Sequence, residues 1–170
     1  MQYVDVMIDL ETLGTAPGSV ILSVGVAASN GSELELTINP LDAMYHGLTV
    51  DPSTLAWWRQ QDAESWRRST SGELSLLDAL GQLRAWLDAL RRQVAPAHTR
   101  VWGDGATFDP VLLEAAYRAV GQSAPWQYDE VYCYRTLRQL KDSKKPASKG
   151  QHEALADAQA QLSHLKELLK

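Results

Sequence analysis

The first strand of this chain carries two carboxylates, and this feature constrains the fold more than any other. In the segment VDVMIDLETLG, residues 4–14, alternate side chains form an apolar face that consists of Val4, Val6, Ile8 and Leu10. The opposite face holds Asp9 and Glu11, because residues two apart on a strand share a face. Burying an unpaired charge is costly, so these acids need a neutralising partner if the segment is a core strand.

The patterns along the rest of the chain predict a mixed α/β architecture. Strands are predicted at residues 3–10, 19–28, 33–39 and 99–103, with a turn at 14–18 and the hairpin signal Asn30-Gly31. Helices are predicted from the Asp51-Pro52 cap through Trp58, and at 74–92, 109–120, 128–140 and 153–169. A few extended residues are expected to precede or open the helix at 128–140. We therefore expect one domain, residues 1–170, with an antiparallel three-strand meander plus parallel strands, flanked by helices.

Composition excludes several classes of protein. No apolar run reaches the roughly 18 residues that a membrane span requires, and no secretory signal pattern opens the chain. The single cysteine, Cys133, has no partner for an internal disulfide, which favours a cytoplasmic protein. The net charge of −5 argues against nucleic-acid binding through bulk charge alone, unless bound cations change the local field.

Two further acids and a histidine occur at element boundaries. Asp109 follows a strand in the segment GDGATFD and opens a helix, where it also suits an ordinary N-cap ahead of Pro110. Asp157 lies in the second turn of the last helix among small residues, which indicates close packing. His152 precedes that helix, in a position where an isolated histidine usually has no function. Each signal is weak by itself.

In this order, D-x-E, F-D and H-x-x-x-x-D, the motifs resemble the DEDDh branch of the DnaQ-like 3′–5′ exonucleases. In particular, the chain is similar to the small phage and bacterial exonucleases and exoribonucleases of that branch. The resemblance extends over nearly the whole chain and rests on Ile8–Gly14, Ile21–Gly25, Trp57-Trp58, Gln61, Trp102-Gly103, Phe108-Asp109, Arg135–Leu137 and His152–Ala158. The chain departs from the wider pattern at Asp104-Gly105, where many relatives have His-Asn, and at Glu153, where Asn or Arg is common.

The resemblance implies a ribonuclease H-like fold and hydrolysis of phosphodiester bonds from a 3′ end, with release of nucleoside 5′-monophosphates. Two Mg²⁺ or Mn²⁺ ions would be held by Asp9, Glu11, Asp109 and Asp157, since hard cations prefer oxygen ligands. His152 would act as the general base, because an imidazole can accept a proton near neutral pH. We expect the preceding loop, residues 142–151, to be mobile without substrate.

Several residues are candidates for binding the nucleic acid. Thr12 and Leu13 resemble the segment that contacts the 3′-terminal nucleotide in relatives, with core packing as the alternative for Leu13. Trp57 and Trp58 point about 100° apart on a helix, so at most one of them is expected to stack on a base. Phe108 and Arg135 complete the predicted substrate-binding set. Further candidates for phosphate contacts are Arg67, Arg68, Arg138, Lys141, Lys144, Lys145 and Lys149.

The expected substrate is a 3′ end of single-stranded DNA or RNA, with DNA slightly favoured, in a bacterial or phage-infected cytoplasm. The alternatives are an exoribonuclease and a non-catalytic nucleic-acid-binding relative, although such a relative would be expected to have lost one of the five key residues. The tryptophan content is compatible with a homodimer, but no pattern specifies an interface.

Overall fold

The fold, a computed structural model that describes residues 2–147 and 152–170, is built on one five-stranded sheet. Its strands are β1 (Tyr3–Thr12), β2 (Ile21–Ala28), β3 (Glu33–Thr37), β4 (His98–Gly103) and β5 (Val131–Cys133). The spatial order is β3-β2-β1-β4-β5, with β1, β2 and β3 antiparallel and both β1–β4 and β4–β5 parallel. The predicted mixed sheet with its antiparallel meander is therefore confirmed.

Seven α-helices are present in the described part of the chain. They are α1 (Pro40–Tyr45), α2 (Pro52–Trp58), α3 (Ala63–Thr70), α4 (Leu76–Val94), α5 (Asp109–Ala119), α6 (Tyr134–Leu140) and α7 (Ala154–Leu168). The helix predicted over 128–140 begins only at Tyr134, and a 3-10 turn and strand β5 stand where a few extended residues are expected to open it. The short helices α1 and α3 are not predicted. None of the described helices is long and apolar enough to cross a membrane.

Strand β1 is buried on both faces. Its even-numbered apolar side chains pack with α4 and α5 in one core, which includes Leu80, Leu83, Leu112 and Leu113. Met7, on the other face, packs with Trp102 of β4 and with residues of α6 and α7 in a second core. The sheet thus lies between two helical layers, and this explains why β1 and β2 are almost continuously buried.

The start of α7 lies directly on the sheet beside the first acidic motif. Gly25 of β2 pairs with Asp9 of β1, and a side chain at Gly25 would overlap the backbone of Ala154. Ala154 and Ala158 are both buried, as the predicted close packing of small residues requires. The absence of a side chain at Gly25 therefore lets α7 approach β1.

Candidate active site

Three carboxylates converge at the end of β1. Asp9 and Glu11 belong to β1, and Asp157 lies in the first turn of α7 rather than the second. One oxygen from each of the three lies within 4.8 Å of the others. Asp109, at the start of α5, lines the same cavity of about 190 Å³. The fold therefore brings together the four acids that the motifs predict.

Asp109 does not cap its helix, so that alternative is wrong. Phe108 occupies the N-cap position, and the Oδ2 atom of Asp109 accepts a hydrogen bond of 2.8 Å from the backbone N–H of Asp104. Gly103 permits this arrangement, because a Cβ there would lie only 2.8 Å from the same oxygen. Asp109 is 1% exposed, and its orientation is set by the turn between β4 and α5.

The cavity concentrates negative charge in a buried place. Burial, followed by the charges of Asp109 and Asp157, holds the pKa of Asp9 well above its usual range. Burial and the charge of Asp157 raise the pKa of Glu11 to about 8, and burial raises the pKa of Asp109 to about 7. A bound cation would stabilise all of these carboxylates in their charged form. Clustered carboxylate oxygens suit Mg²⁺ or Mn²⁺, so the residues present fit a divalent metal site.

Asp5, an acid on the same strand, shows the contrasting case. Its carboxylate accepts hydrogen bonds from Arg100 at 2.7 and 3.0 Å and from the indole N–H of Trp102 at 2.7 Å. Protein groups therefore neutralise Asp5, whereas the acids farther along β1 face one another. The metal site is confined to the end of the strand.

Gln161 forms a hydrogen bond with Asp9, and no motif in the sequence identifies it as a site residue. Its Nε2 atom donates a hydrogen bond of 2.6 Å to Oδ1 of Asp9, and the side chain is 0% exposed. Its Oε1 atom is buried without a hydrogen-bond partner among the described residues. The available signal is its spacing, one helical turn beyond Asp157 on the buried side of α7.

His152 lies beside the tryptophan pair instead of lining the carboxylate cavity described above. Its Nε2 atom is 3.2 Å from Oε1 of Gln61, and its ring centroid is 4.8 Å from that of Trp57 and 5.4 Å from that of Trp58. As predicted, His152 precedes the last helix. Its φ of 55° is in the left-handed region. The adjoining residues 148–151 lie outside the described chain, so the predicted loop mobility remains a prediction.

The two tryptophans divide as expected between surface and core. Trp57 is 43% exposed, whereas Trp58 is 1% exposed and donates its indole N–H to the carbonyl of Thr12 at 2.9 Å. Both line a second cavity of about 330 Å³, together with Thr12 and Phe108. Of these two tryptophans, only Trp57 has an exposed ring on which a base could stack. Leu13 is buried in the core, which corresponds to the packing alternative for its side chain.

A group of cations surrounds Asp104 beside the carboxylates. Lys145 Nζ lies 3.0 Å from Oδ2 of Asp104, while Arg135 Nε and Arg138 Nη2 lie 3.4 and 3.6 Å from Oδ1. We call these four residues the Asp104 cluster. Asp104, Arg135 and Lys145 all line the carboxylate cavity. Lys149, another predicted phosphate contact, lies outside the described residues.

Charge pairing within the Asp104 cluster outweighs the effect of burial. Burial opposes ionisation of Asp104, but its hydrogen bond with Lys145 and the nearby positive charges hold the pKa of that carboxyl below its usual range. Burial likewise opposes the charged form of Lys145, yet the hydrogen bond and the charges of Asp104, Asp9 and Asp157 raise the pKa of the ammonium. Both groups are therefore charged at neutral pH.

Other predicted phosphate contacts are engaged elsewhere. Arg67 forms an exposed pair with Glu64 at 3.2 Å, and Arg68 lies 2.9 Å from Glu153 at the start of α7. Arg135 also lines a third cavity of about 550 Å³, next to α6. Phe108 lines all three cavities, and every predicted substrate-binding residue except Leu13 lines at least one of them.

A mixed sheet that presents clustered carboxylates at the end of its central strand, between helices, is the arrangement of the ribonuclease H-like fold. Solved structures of nucleases align with the chain in this fold. The nuclease domain of 3′hExo, a DEDDh family member, bound to rAMP, aligns with a TM-score of 0.63 and 9% identity over 98% of this chain and 91% of that one. Cell-death related nuclease 4 (CRN-4) aligns with a TM-score of 0.55 and 12% identity over 98% of this chain and 63% of that one.

The family match is more specific. Residues 4–169 match the model described as the 3′-5′ exoribonuclease Rv2179c-like domain, so the chain belongs to this family. No curated protein matches the chain significantly. The chain therefore belongs to a family of 3′–5′ exonucleases, as its motifs predict, and it shares its fold with the nuclease domain of a DEDDh family member.

Proposed function

We propose that residues 1–170 form one metal-dependent exonuclease domain that removes nucleoside 5′-monophosphates from the 3′ end of single-stranded RNA. The observation that carries this proposal is the convergence of Asp9, Glu11 and Asp157 within 4.8 Å, with Asp109 in the same cavity. RNA is favoured over DNA because the matching family is described as exoribonucleases. This reverses the slight preference for DNA that the motifs alone suggest.

The four carboxylates would hold two divalent ions. All four acids would contribute ligands, because they line one cavity and three of them have oxygens within 4.8 Å of one another. When bound, such ions lower the pKa of a coordinated water and stabilise charge on the attacking and leaving oxygens. Gln161 would keep Asp9 in its ligand orientation through the 2.6 Å hydrogen bond.

His152 would accept the proton of the attacking water. Its imidazole ring contacts Trp57 edge-to-face, so it must move to reach the carboxylate cavity. The backbone around residue 152 can provide this movement, because α7 begins only at Ala154. We further propose that a terminal base stacks on the exposed ring of Trp57 and displaces the imidazole towards the carboxylates.

Matched RNA and DNA oligomers with a 5′ label test the proposal. We expect Mg²⁺ or Mn²⁺ to produce a ladder of products that shorten from the 3′ end, with RNA degraded faster than DNA and with no products in chelator. Asp157→Asn should lose at least about 10³-fold in rate, because a metal ligand is removed. Asp129→Asn, an exposed acid outside the cavity, is the matched control. Equal rates for Asp157→Asn and the wild type would refute the proposal.

A further inference from the structure

The carboxylate cavity is lined by groups of both charges. We call the four acids its acidic wall, and we call Arg135 and Lys145, held by Asp104, its cationic wall. The proposed metal site uses only the acidic wall. The cationic wall therefore requires its own explanation, especially in a chain whose net charge is −5.

The three cations of the cluster exceed the charge of their single acid. Asp104 carries one negative charge, while Arg135, Arg138 and Lys145 carry three positive charges, so the cluster has a surplus of two. The Asp104 side chain is 10% exposed, whereas those of Arg135 and Lys145 are 51% and 40% exposed. Each of these two cations thus pairs with Asp104 on one side and has donors that remain open to solvent.

Asp104 also holds these cations without disturbing the acidic wall. Its side chain bonds to Lys145, and its backbone carbonyl accepts a hydrogen bond from Arg135. Its backbone N–H, independently of the side chain, orients Asp109. The same residue therefore connects both walls of the cavity, through different atoms.

An anion placed between the two walls would have complementary groups on both sides once the acids carry metal ions. A phosphodiester has two non-bridging oxygens, which accept hydrogen bonds from ammonium and guanidinium donors. Charge also builds up on these oxygens and on the leaving oxygen during hydrolysis, so a fixed cation lowers the barrier if it contacts them in the transition state.

We propose that Lys145 and Arg135 donate hydrogen bonds to the scissile phosphate from the cationic wall of the cavity that contains the acids, with Lys145 as a further catalytic residue. Asp104 is the positioning residue that holds both cations. This inference rests on the function proposed above. Lys145 keeps its proton throughout, and its contribution is electrostatic.

Lys145→Met, Lys145→Arg and Asp104→Asn form the main test, and Lys166→Met, at an exposed lysine in the last turn of α7, is the matched control. At saturating metal, Lys145→Met should lower kcat about 100-fold, because removal of one preorganised donor has effects of this size. Lys145→Arg should recover most of the loss, and the control should retain the wild-type rate. Asp104→Asn should lower kcat less, and the double variant Asp104→Asn/Lys145→Met should lose less than the product of the two single losses.

Binding of adenosine 5′-monophosphate provides a readout besides catalysis. In Ca²⁺, Lys145→Met should weaken this binding about tenfold, as measured by calorimetry, because a charge-assisted hydrogen bond to the phosphate is lost. Thermal melting in Ca²⁺ should show that the variant still folds and still binds metal.

The outcomes separate the two proposals. If the wild type degrades neither RNA nor DNA, the proposed function fails, and the catalytic role of Lys145 fails with it. If the wild type is active but Lys145→Met has the wild-type kcat at saturating metal, only the present inference is overturned. Equal losses for Lys145→Arg and Lys145→Met would overturn the electrostatic role as well.

Discussion

Replacing Glu11 with glutamine is expected to stabilise the metal-free fold near neutral pH, although it removes a proposed metal ligand. Glu11 is 8% exposed and faces Asp157, and burial and this charge raise its pKa from 4.5 to about 8. The folded chain therefore keeps the proton of Glu11 to a higher pH than the unfolded chain does. Glutamine has the same shape as the protonated side chain and no proton to lose.

The sign and size of the effect follow from this difference in pKa. Between the two pKa values the unfolded chain releases a proton that the folded chain keeps, so a rising pH favours unfolding. From pH 5.5 to 7.5, this costs the wild type about 2 kcal/mol of unfolding free energy through Glu11 alone. This loss of unfolding free energy is absent below the pKa of Glu11 in the unfolded chain, and it is constant above the pKa of Glu11 in the folded chain. Glu11→Gln should lack this part of the pH dependence.

Urea unfolding followed by tryptophan fluorescence, in chelator at several pH values, measures this effect. The difference in unfolding free energy between Glu11→Gln and wild type should grow by about 2 kcal/mol over this pH range. Glu33→Gln, at an exposed position of β3, should follow the wild type. Parallel pH profiles for Glu11→Gln and wild type would refute the argument that buried like charges control this site. Added Mn²⁺ should stabilise the wild type more at pH 7.5 than at pH 5.5, since the metal binds deprotonated carboxylates.

Three other substitutions separate the roles of neighbouring residues. Gln161→Leu should weaken Mn²⁺ binding about tenfold in calorimetry, because Asp9 loses its orienting donor, and an unchanged affinity would contradict this role. His152→Ala should lower kcat by about 10²- to 10⁴-fold while the Mn²⁺-induced shift in melting temperature remains, and full activity would exclude a general base at this position. Trp57→Ala should raise KM by about tenfold with little change in unfolding free energy, whereas Trp58→Ala should cost about 3–5 kcal/mol of unfolding free energy in urea titrations. Equal stability losses for the two tryptophan variants would contradict their different burial.

The elements with long, regular patterns could be predicted from the sequence. Strand β1 follows from its alternation, and α4 follows from leucines at helical spacing. Strand β5 could be predicted only as a few extended residues ahead of α6, because a period cannot be recognised in three residues. The short helices α1 and α3 show only their caps, Asn39 and Asp62, as local signals.

The residues of the candidate site, like the elements of the fold, could be predicted from the sequence only in part. The motifs and the resemblance identify Asp9, Glu11, Asp109 and Asp157. They do not identify the residues that hold these acids in place. Their partners are distant in sequence: Gln161 bonds to a residue 152 positions away, and the cations that pair with Asp104 lie 31 or more positions further along the chain.

The sequence by itself therefore determined the class of protein, the order of the acids and the face on which Asp9 and Glu11 point. These properties depend on local backbone periodicity and on short motifs. Only the tertiary structure decided what surrounds the acids: α7 seated on Gly25, the buried amide of Gln161 beneath Asp9, and a cationic wall held by Asp104. The physical reason is that burial and charge pairing arise from the packing of distant segments.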